Sequence, residues 1–486
     1  MSYVPYRKPP TAGLKAWLPP VMVSAGFWWI SSNAITLRQF LPAMILLVLP
    51  WQAYCRWQRS GTTRIPLFAL IALAFWAAFA MPLFLADPPT DPQTEGRFGE
   101  TVVYGVMKMA VLGVAALGFG MKTRFRPVAP ARLPDVAESR GTWRYFYCLM
   151  GLGTILSINE DWSFLLGSGG RQLMLALAVT VPLAVCAMLA TKRIDDRATR
   201  ADRYALGAFV TARIVIAIAS GWLAPVVFMG VILGLIRTAK SRRLPLRAIA
   251  LIIPVFLFLQ VGKQTFRETY WRGSQRGSMD ERVEFWLGAS FKQWNAVFKR
   301  GDTRGTHALL AQTIDRVSLL SQSANVLAKT PRAVPYQDGK TYSYFAATLI
   351  PRFLWPDKPS VNDANRFYQV AYGVTSKEDL DKVSVAVGFL TESYMNFGWW
   401  GVMPVMFLIG LLLGLFERTL LTADSGLLFC GIGLAQLSTL LAVESQAAQY
   451  LSGLLQQIAI VFAFALPVIR RRKLRHEGSF RLPEAV

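Results

Sequence analysis

Charged residues and histidines are scarce in this chain. Only 17% of its 486 residues are charged, whereas soluble domains carry about 25%. The two histidines are His307 and His476, and the sequence has no HExxH or CxxC pattern and no aspartate-rich loop. We therefore expect no metal site. A P-loop or a GxGxxG motif between a strand and a helix is also missing, so nothing indicates ATP or NAD chemistry, and we expect no cofactor.

Cysteine is equally rare. The four cysteines lie in or beside apolar segments, which excludes a disulfide framework: Cys55, Cys148, Cys186 and Cys430. We find no internal repeat, low-complexity tract or strand-rich domain.

Apolar residues, by contrast, dominate. They make up 53% of the chain, and runs of roughly 17–22 of them recur, each long enough to cross a bilayer core of about 30 Å. The pattern predicts an all-α polytopic membrane protein with about 12 transmembrane helices. We divide the chain into an N-terminal region with about nine crossings, a large loop between helices 9 and 10, a C-terminal region with about three crossings, and a basic tail: 1–262, 263–386, 387–469 and 470–486.

The net charge of +23 comes from 52 Lys and Arg against 29 Asp and Glu. In a soluble protein such an excess would suggest a nucleic-acid partner. Here the polar connections alternate between basic ones and neutral or acidic ones, as the positive-inside rule requires. The alternation predicts that both termini are cytoplasmic, and we expect no nucleic acid.

The loop 263–386 lies on the outer side in this topology and carries 18 Lys and Arg against 12 Asp and Glu. The orienting rule does not explain that excess, because long loops translocate regardless of charge. Its pattern predicts a helical cap over the outer membrane face. The expected elements are helices over 281–298, 307–329 and 362–373, and a turn at Asp338-Gly339.

The run FRETYWRGSQRGS places Arg267, Arg272 and Arg276 within ten residues, directly after a predicted crossing. Guanidinium groups bind phosphate oxygens through a bidentate fork. At an outer membrane surface, the phosphate ligand most in need of such a clamp is a lipid diphosphate. The alternative is that these arginines meet ordinary lipid headgroups.

The run PRFLWPDKP, residues 351–359, contains three prolines that fix the path of the chain. Trp355 is placed to lie at the headgroup level, so that Arg352 and Lys358 are presented beside the bilayer at a fixed height. Alternatively, the prolines only end a re-entrant helix.

Glu392 lies in GFLTESYMNFGWWG, where the chain returns to the membrane among aromatic residues. A carboxyl group in apolar surroundings suits a general base. The alternative is an interfacial glutamate paired with one arginine of the loop. Asp357, Glu268 and Glu444 are weaker candidates for the same role.

Two cations fall inside apolar segments, where an unpaired charge costs at least about 2.5–3.5 kcal/mol. Arg213 is near the middle of its segment and is expected to face a substrate path. Lys108 could instead extend its amine to the interface. Arg171, at an outer helix start, is expected to join the outer cationic site.

Two runs carry a resemblance to a known family: PYQDGKTYSYFAATLIPRFLWPDKPSVNDANRF and ESYMNFGWWG. They resemble the Wzy-type repeat-unit polymerases of O-antigen and exopolysaccharide assembly. The layout of about a dozen crossings, cytoplasmic termini and one large outer loop late in the chain is similar as well. At the level of motifs, the resemblance covers roughly residues 335–401.

The resemblance implies a metal-independent, GT-C-like glycosyltransferase in the bacterial inner membrane. Its donor would be a glycan on undecaprenyl diphosphate facing the periplasm, and its acceptor a second lipid-linked repeat unit. A flippase and a chain-length regulator are the implied protein partners.

In this interpretation Glu392 and Arg352 are the catalytic residues, with Glu392 taking the proton of the acceptor hydroxyl. The remaining candidates bind the diphosphate or the glycan: Arg267, Arg272, Arg276, Lys358, Arg366, Arg213, Arg171 and Trp355. Clean copies of both paired Arg–Gly motifs of some family members are missing, which leaves the roles of individual arginines open.

Two other functions stay open. An O-antigen ligase would use the same donor with lipid A core as acceptor, and would need a catalytic histidine, for which only His307 is available in the loop. A transporter or flippase for the lipid-linked sugar usually shows repeated halves, and this chain has no such internal symmetry.

Overall fold

The computed structural model describes most of the chain and shows it to be almost entirely helical there. The described residues are 17–31, 35–60, 63–123, 133–158, 170, 173–244, 246–271, 277–299, 311, 313–349, 355, 358–380, 385–422 and 424–470.

The first eight described helices belong to the region 1–262. They are α1 Leu18–Ile30, α2 Leu37–Ser60, α3 Leu67–Leu85, α4 Glu100–Lys122, α5 Arg140–Leu156, α6 Leu173–Ile194, α7 Arg200–Ser220 and α8 Ala224–Ser241.

The remaining helices follow from there to the C-terminal region. They are α9 Leu246–Phe266, α10 Met279–Lys299, α11 Leu320–Lys329, α12 Lys340–Leu349, α13 Asp363–Ala371, α14 Gly388–Leu420, α15 Leu427–Ala435, α16 Leu437–Leu440 and α17 Ala447–Ala465. One short antiparallel pair joins β1, Asp135–Val136, to β2, Ile469–Arg470.

Seven helices of the described part are long and apolar enough to cross a membrane: α3, α4, α6, α7, α8, α14, and α17 extended to Val468. The predicted class, an all-α membrane protein, is confirmed at this level. The number of twelve crossings remains a prediction.

Helices α4 and α14 pack closely against each other. A Cβ atom at Gly120 would lie 2.2 Å from the carbonyl oxygen of Phe407, and one at Gly410 would lie 2.2 Å from that of Leu117. Glycine is needed at both positions because the two backbones touch, as small residues allow in membrane helix pairs.

A π-helical turn, Trp76–Ala80, interrupts α3. Such turns shift the helical hydrogen bonds and are frequent at functional sites. Here the carbonyl of Ala78 accepts the backbone N–H of Leu319 at 2.9 Å. A segment of the predicted periplasmic loop is therefore anchored to the interior of a candidate crossing.

Gly398 breaks α14 into a shorter and a longer part, because its φ of 62° and ψ of −154° are not helical. Almost no residue except glycine adopts this conformation. A Cβ atom there would also lie 2.8 Å from the hydroxyl oxygen of Tyr336. The part before Gly398, residues 388–397, therefore takes its own direction. We call it the outer half of α14, because the predicted topology places it on the outer side.

The predicted elements of the loop agree with the structure in three of four cases. Helix α10 confirms the prediction over 281–298, α13 confirms the short helix with Asn362 at its N-cap, and the turn at Asp338-Gly339 is present. The prediction of a continuous helix over 307–329 was wrong. It is interrupted over 316–319, because the backbone N–H of Leu319 bonds to Ala78 rather than within a helix.

Candidate functional site

The turn that precedes α12 packs against the outer half of α14. Gln337 donates its backbone N–H to the carbonyl of Met395 at 3.1 Å, and Asp338 donates to that of Asn396 at 3.2 Å. The backbone N–H of Gly339 also bonds to the Asn396 side chain at 3.0 Å. The two sequence runs that carry the family resemblance are therefore in direct contact.

Glu392 lies on this outer half of α14 and has no exposed surface. Its Oε2 atom accepts the backbone N–H of Ala447, the first residue of α17, at 2.7 Å. Within the described residues its Oε1 atom has no hydrogen-bond partner. The carboxyl group thus holds a helix N-terminus and retains one acceptor for another group.

Polar side chains of α12 and α14 surround this carboxyl group. The Asn396 amide donates to the Thr341 hydroxyl at 2.7 Å and to the Glu392 backbone carbonyl at 2.8 Å, and the Thr341 hydroxyl lies beside the carboxyl group. Burial raises the pKa of the Tyr342 phenol well above its usual value, and the negative charge of Glu392 raises it further. Glu392 is thus enclosed by residues of α12 and α14 and by the first residue of α17.

Three cations of the predicted loop, two from its start and one from further along, lie outside the seven candidate spans. We call them the cation cluster: Lys263, Arg267 and Arg316. Lys263 and Arg267 are one helical turn apart, and Arg316 donates to the side-chain oxygen of Gln264 at 3.1 Å. Burial, together with the positive charges of Arg267 and Arg316, lowers the pKa of Lys263 to about 8.

Such a cluster has the charge and the donors that an anion requires. Three like charges on converging side chains repel one another, and a bound phosphate relieves that repulsion. The nearby carboxylate of Glu268 accepts a hydrogen bond from the Gln264 amide at 2.8 Å. Glu268 therefore positions the Gln264 side chain, whose oxygen accepts the hydrogen bond from Arg316.

The segment 316–323 connects the cation cluster to the surroundings of Glu392. A Cβ atom at Gly388 would lie 3.0 Å from a methyl group of Leu319. The Ser323 and Thr391 hydroxyls are 2.6 Å apart and buried. One short stretch of chain therefore contacts both candidate regions.

Other predicted site residues lie on separate segments. Lys358 donates to the carbonyl of Ala347 in α12 at 3.0 Å, and Arg366 is exposed on α13. The side chain of Trp355 is 41% exposed, which suits its predicted interfacial position.

Arg213 lies on α7, and its side chain is buried. Its guanidinium donates to the carbonyl of Ala178 at 3.4 Å, within a π-helical turn of α6, and lies 5.9 Å from the centre of the Phe209 ring. Lys108 is exposed, and its amine lies 5.3 Å from the centre of the Trp399 ring. Glu444 is exposed in the turn before α17.

Several predicted residues fall outside the described part of the chain: Arg171, Arg272, Arg276, His307, Arg352 and Asp357. Their predicted roles stay predictions.

Sequence reasoning missed Lys263 and Arg316. The spacing of Lys263 four residues before Arg267 was a usable signal, because residues i and i+4 share one face of a helix. Arg316 had no local signal, since only the tertiary fold brings it to Gln264, 52 residues earlier.

Over residues 108–432 the sequence matches a protein family described as a domain of unknown function (DUF8712). No curated protein and no solved structure matches the chain. Within the described residues, no group of three or more His, Cys, Asp or Glu side chains is arranged to hold a metal ion.

Proposed function

The chain belongs to the DUF8712 family, and we propose that this member is a metal-independent membrane glycosyltransferase. It joins undecaprenyl-diphosphate-linked oligosaccharide repeat units into O-antigen or exopolysaccharide on the periplasmic face of the bacterial inner membrane. The proposal rests on the resemblance of residues 335–401 and on the geometry of the described residues.

The observation that carries the proposal is the cation cluster. A glycosyl transfer from a lipid diphosphate leaves negative charge on the departing diphosphate. Lys263, Arg267 and Arg316 converge beside the predicted outer loop and can neutralise that charge without a metal ion. Their donors are those that proteins use for phosphate oxygens.

The chemical step requires a base as well as a leaving-group site. The acceptor hydroxyl oxygen forms a bond to the anomeric carbon of the donor glycan, and the bond from that carbon to the phosphate oxygen breaks. The diphosphate departs as an anion held by the cation cluster. Glu392, with its unbonded Oε1 atom, takes the hydroxyl proton once the turn before α12 has moved.

The arrangement of the chain fits a lipid-linked substrate. Seven helices are long and apolar enough to cross a bilayer, so polyprenyl tails can stay in the bilayer while the predicted outer loop supplies the cations for the diphosphate. The buried contact between Ser323 and Thr391 joins the chain segment that follows Arg316 to the residue before Glu392.

The test is complementation of a knockout, with surface glycan separated by gel and expression verified. We expect Lys263→Gln combined with Arg316→Gln, and separately Arg267→Gln, to leave single repeat units and no long polymer. Arg332→Gln is the matched control, because Arg332 is an exposed cation of the same loop. It should restore polymer as the unchanged chain does.

Other outcomes would contradict the proposal. If repeat units in the knockout fail to reach the outer face, the chain is a transporter. If the knockout strain forms polymer but does not transfer it to lipid A core, the chain is a ligase. If all cluster variants restore polymer, the cation cluster does not bind the diphosphate.

A further inference from the structure

A separate cavity of about 560 Å³ lies between the start of α2, the end of α3 and the start of α4. Its polar lining combines acceptors and donors: Asp87 and Glu100 supply carboxylates, Arg97 a guanidinium and Gln39 an amide. Phe98 adds an aromatic ring. The volume is typical of a small-ligand site.

The walls of this cavity are held by hydrogen bonds between separate segments. The Thr36 hydroxyl donates to Glu100 Oε1 at 2.7 Å, and the Thr36 backbone N–H donates to the largely buried Gln39 at 3.2 Å. The loop between α3 and α4 is ordered by a bridge from Thr90 to Arg97. The lining is therefore positioned before any ligand arrives.

The cavity is related to the cation cluster through Asp87, which lines the cavity, and Asp315. Asp315 precedes Arg316 directly, and it is close enough to Asp87 that burial and the Asp87 charge together raise the pKa of its carboxyl group. The two regions differ in charge, because Asp87, Glu100 and Asp315 disfavour an anion where the cation cluster attracts one.

We propose that this cavity binds the terminal sugar of the acceptor glycan. Paired donors and acceptors match the alternating hydroxyl groups of a pyranose, whose apolar face packs on an aromatic ring such as Phe98. The adjacent cation cluster holds the donor diphosphate, so the two substrates meet across the segment 315–316. This inference rests on the proposed function and assigns its acceptor site.

The probe is the repeat-unit oligosaccharide released by mild acid from the lipid carrier of the knockout strain. It is titrated onto the full-length protein in lipid nanodiscs, and binding is followed by saturation-transfer NMR. We expect Arg97→Ala and Glu100→Gln each to weaken binding about tenfold, the effect of losing one charge-assisted hydrogen bond.

Two matched controls lie outside the cavity. Glu95→Gln removes a charge from the same loop, and Arg38→Ala removes an exposed cation from α2. Both should bind the oligosaccharide as the unchanged protein does. Glu100→Gln keeps an acceptor for the Thr36 hydroxyl, so the cavity wall should keep its structure in this variant. Glu100→Gln therefore still tests the site if Arg97→Ala fails to fold.

The results separate this inference from the proposed function. If both cavity variants bind the oligosaccharide as tightly as the controls, or if the unchanged protein does not bind it, the cavity is not the acceptor site, whatever polymer is made. If binding depends on the cavity but the knockout keeps its long polymer, the polymerase function fails while the sugar site stands.

Discussion

The Oε2 atom of Glu392 accepts the backbone N–H of Ala447 at 2.7 Å. This single bond ties the outer half of α14 to the N-terminus of α17, residues 55 positions apart. A carboxylate is favoured there because the first N–H groups of a helix lack partners and carry partial positive charge. Glu392 therefore has a structural role independent of any chemistry, and an experiment on it must separate the two.

We predict that Glu392→Ala and Glu392→Gln both lose polymer formation but differ in stability. Alanine leaves the Ala447 N–H without its buried acceptor, which should lower the free energy of unfolding by about 1–3 kcal/mol. Glutamine keeps an acceptor oxygen but is no base. Thermal unfolding in detergent and polymer formation measure the two effects.

The matched control for this pair is Glu378→Gln, an exposed carboxylate of the predicted outer loop, which should change neither quantity. Polymer of normal length from Glu392→Gln would show that Glu392 is a helix anchor and not the base.

Gly398 should tolerate no side chain. We predict that Gly398→Ala destabilises the protein by about 1–3 kcal/mol from backbone strain alone, and more from the contact with the Tyr336 hydroxyl. Gly230→Ala in α8 is the control, since a Cβ atom there meets nothing within 4 Å. Its change in melting temperature should be small or upward. Equal melting temperatures for the two variants would show that the break at Gly398 is not required.

Binding of a diphosphate should depend on pH through Lys263. Its pKa of about 8 means that the amine is charged below pH 8 and loses its proton as the pH rises through that value. Lys263→Arg stays charged throughout. We expect affinity for inorganic pyrophosphate, measured by calorimetry, to fall about tenfold relative to the Arg variant between pH 7 and pH 9.

The comparison with Lys263→Arg removes the effect of the titration of pyrophosphate itself. Parallel pH profiles for the two proteins would mean that Lys263 does not contact the anion.

Lys329 joins its own helix to two other segments, the loop between α3 and α4 and the end of α13. Its amine donates to Asp91 at 3.1 Å, to Gln93 at 3.0 Å and to the carbonyl of Tyr372 at 3.0 Å. We predict that Lys329→Met lowers the free energy of unfolding by about 1–3 kcal/mol, because Asp91 and the carbonyl lose a donor in a mostly enclosed place.

The measurement is thermal unfolding in detergent at neutral pH, with the exposed Lys377→Met as control. An unchanged melting temperature for Lys329→Met would show that other contacts hold the loop between α3 and α4.

Local elements were predictable wherever the residues of one segment were enough to specify its secondary structure. Helix α10 followed from the spacing of its aromatic residues, and the turn at Asp338-Gly339 from its dipeptide. The prediction over 307–329 failed because Leu319 gives its N–H to Ala78, in a distant helix. No local pattern reports such a bond.

For the candidate site, the sequence indicated Glu392 and Arg267 but not their neighbours. Glu392 stood out as a carboxylate among aromatic residues, whereas its partner is a backbone group of α17. Arg267 stood out in a run of arginines, whereas the structure shows that Arg267 and Arg316 both act electrostatically on Lys263. Those neighbours depend on packing between segments.

The sequence by itself determined that this is a helical membrane protein, because the length and apolar character of each crossing are properties of a continuous run of residues. Only the tertiary structure decided which cations converge, which helix the Glu392 carboxylate holds, and where a cavity opens between α2, α3 and α4. Each of these depends on contacts between residues far apart in the chain, and their strength comes from burial, which exists only after the helices have packed.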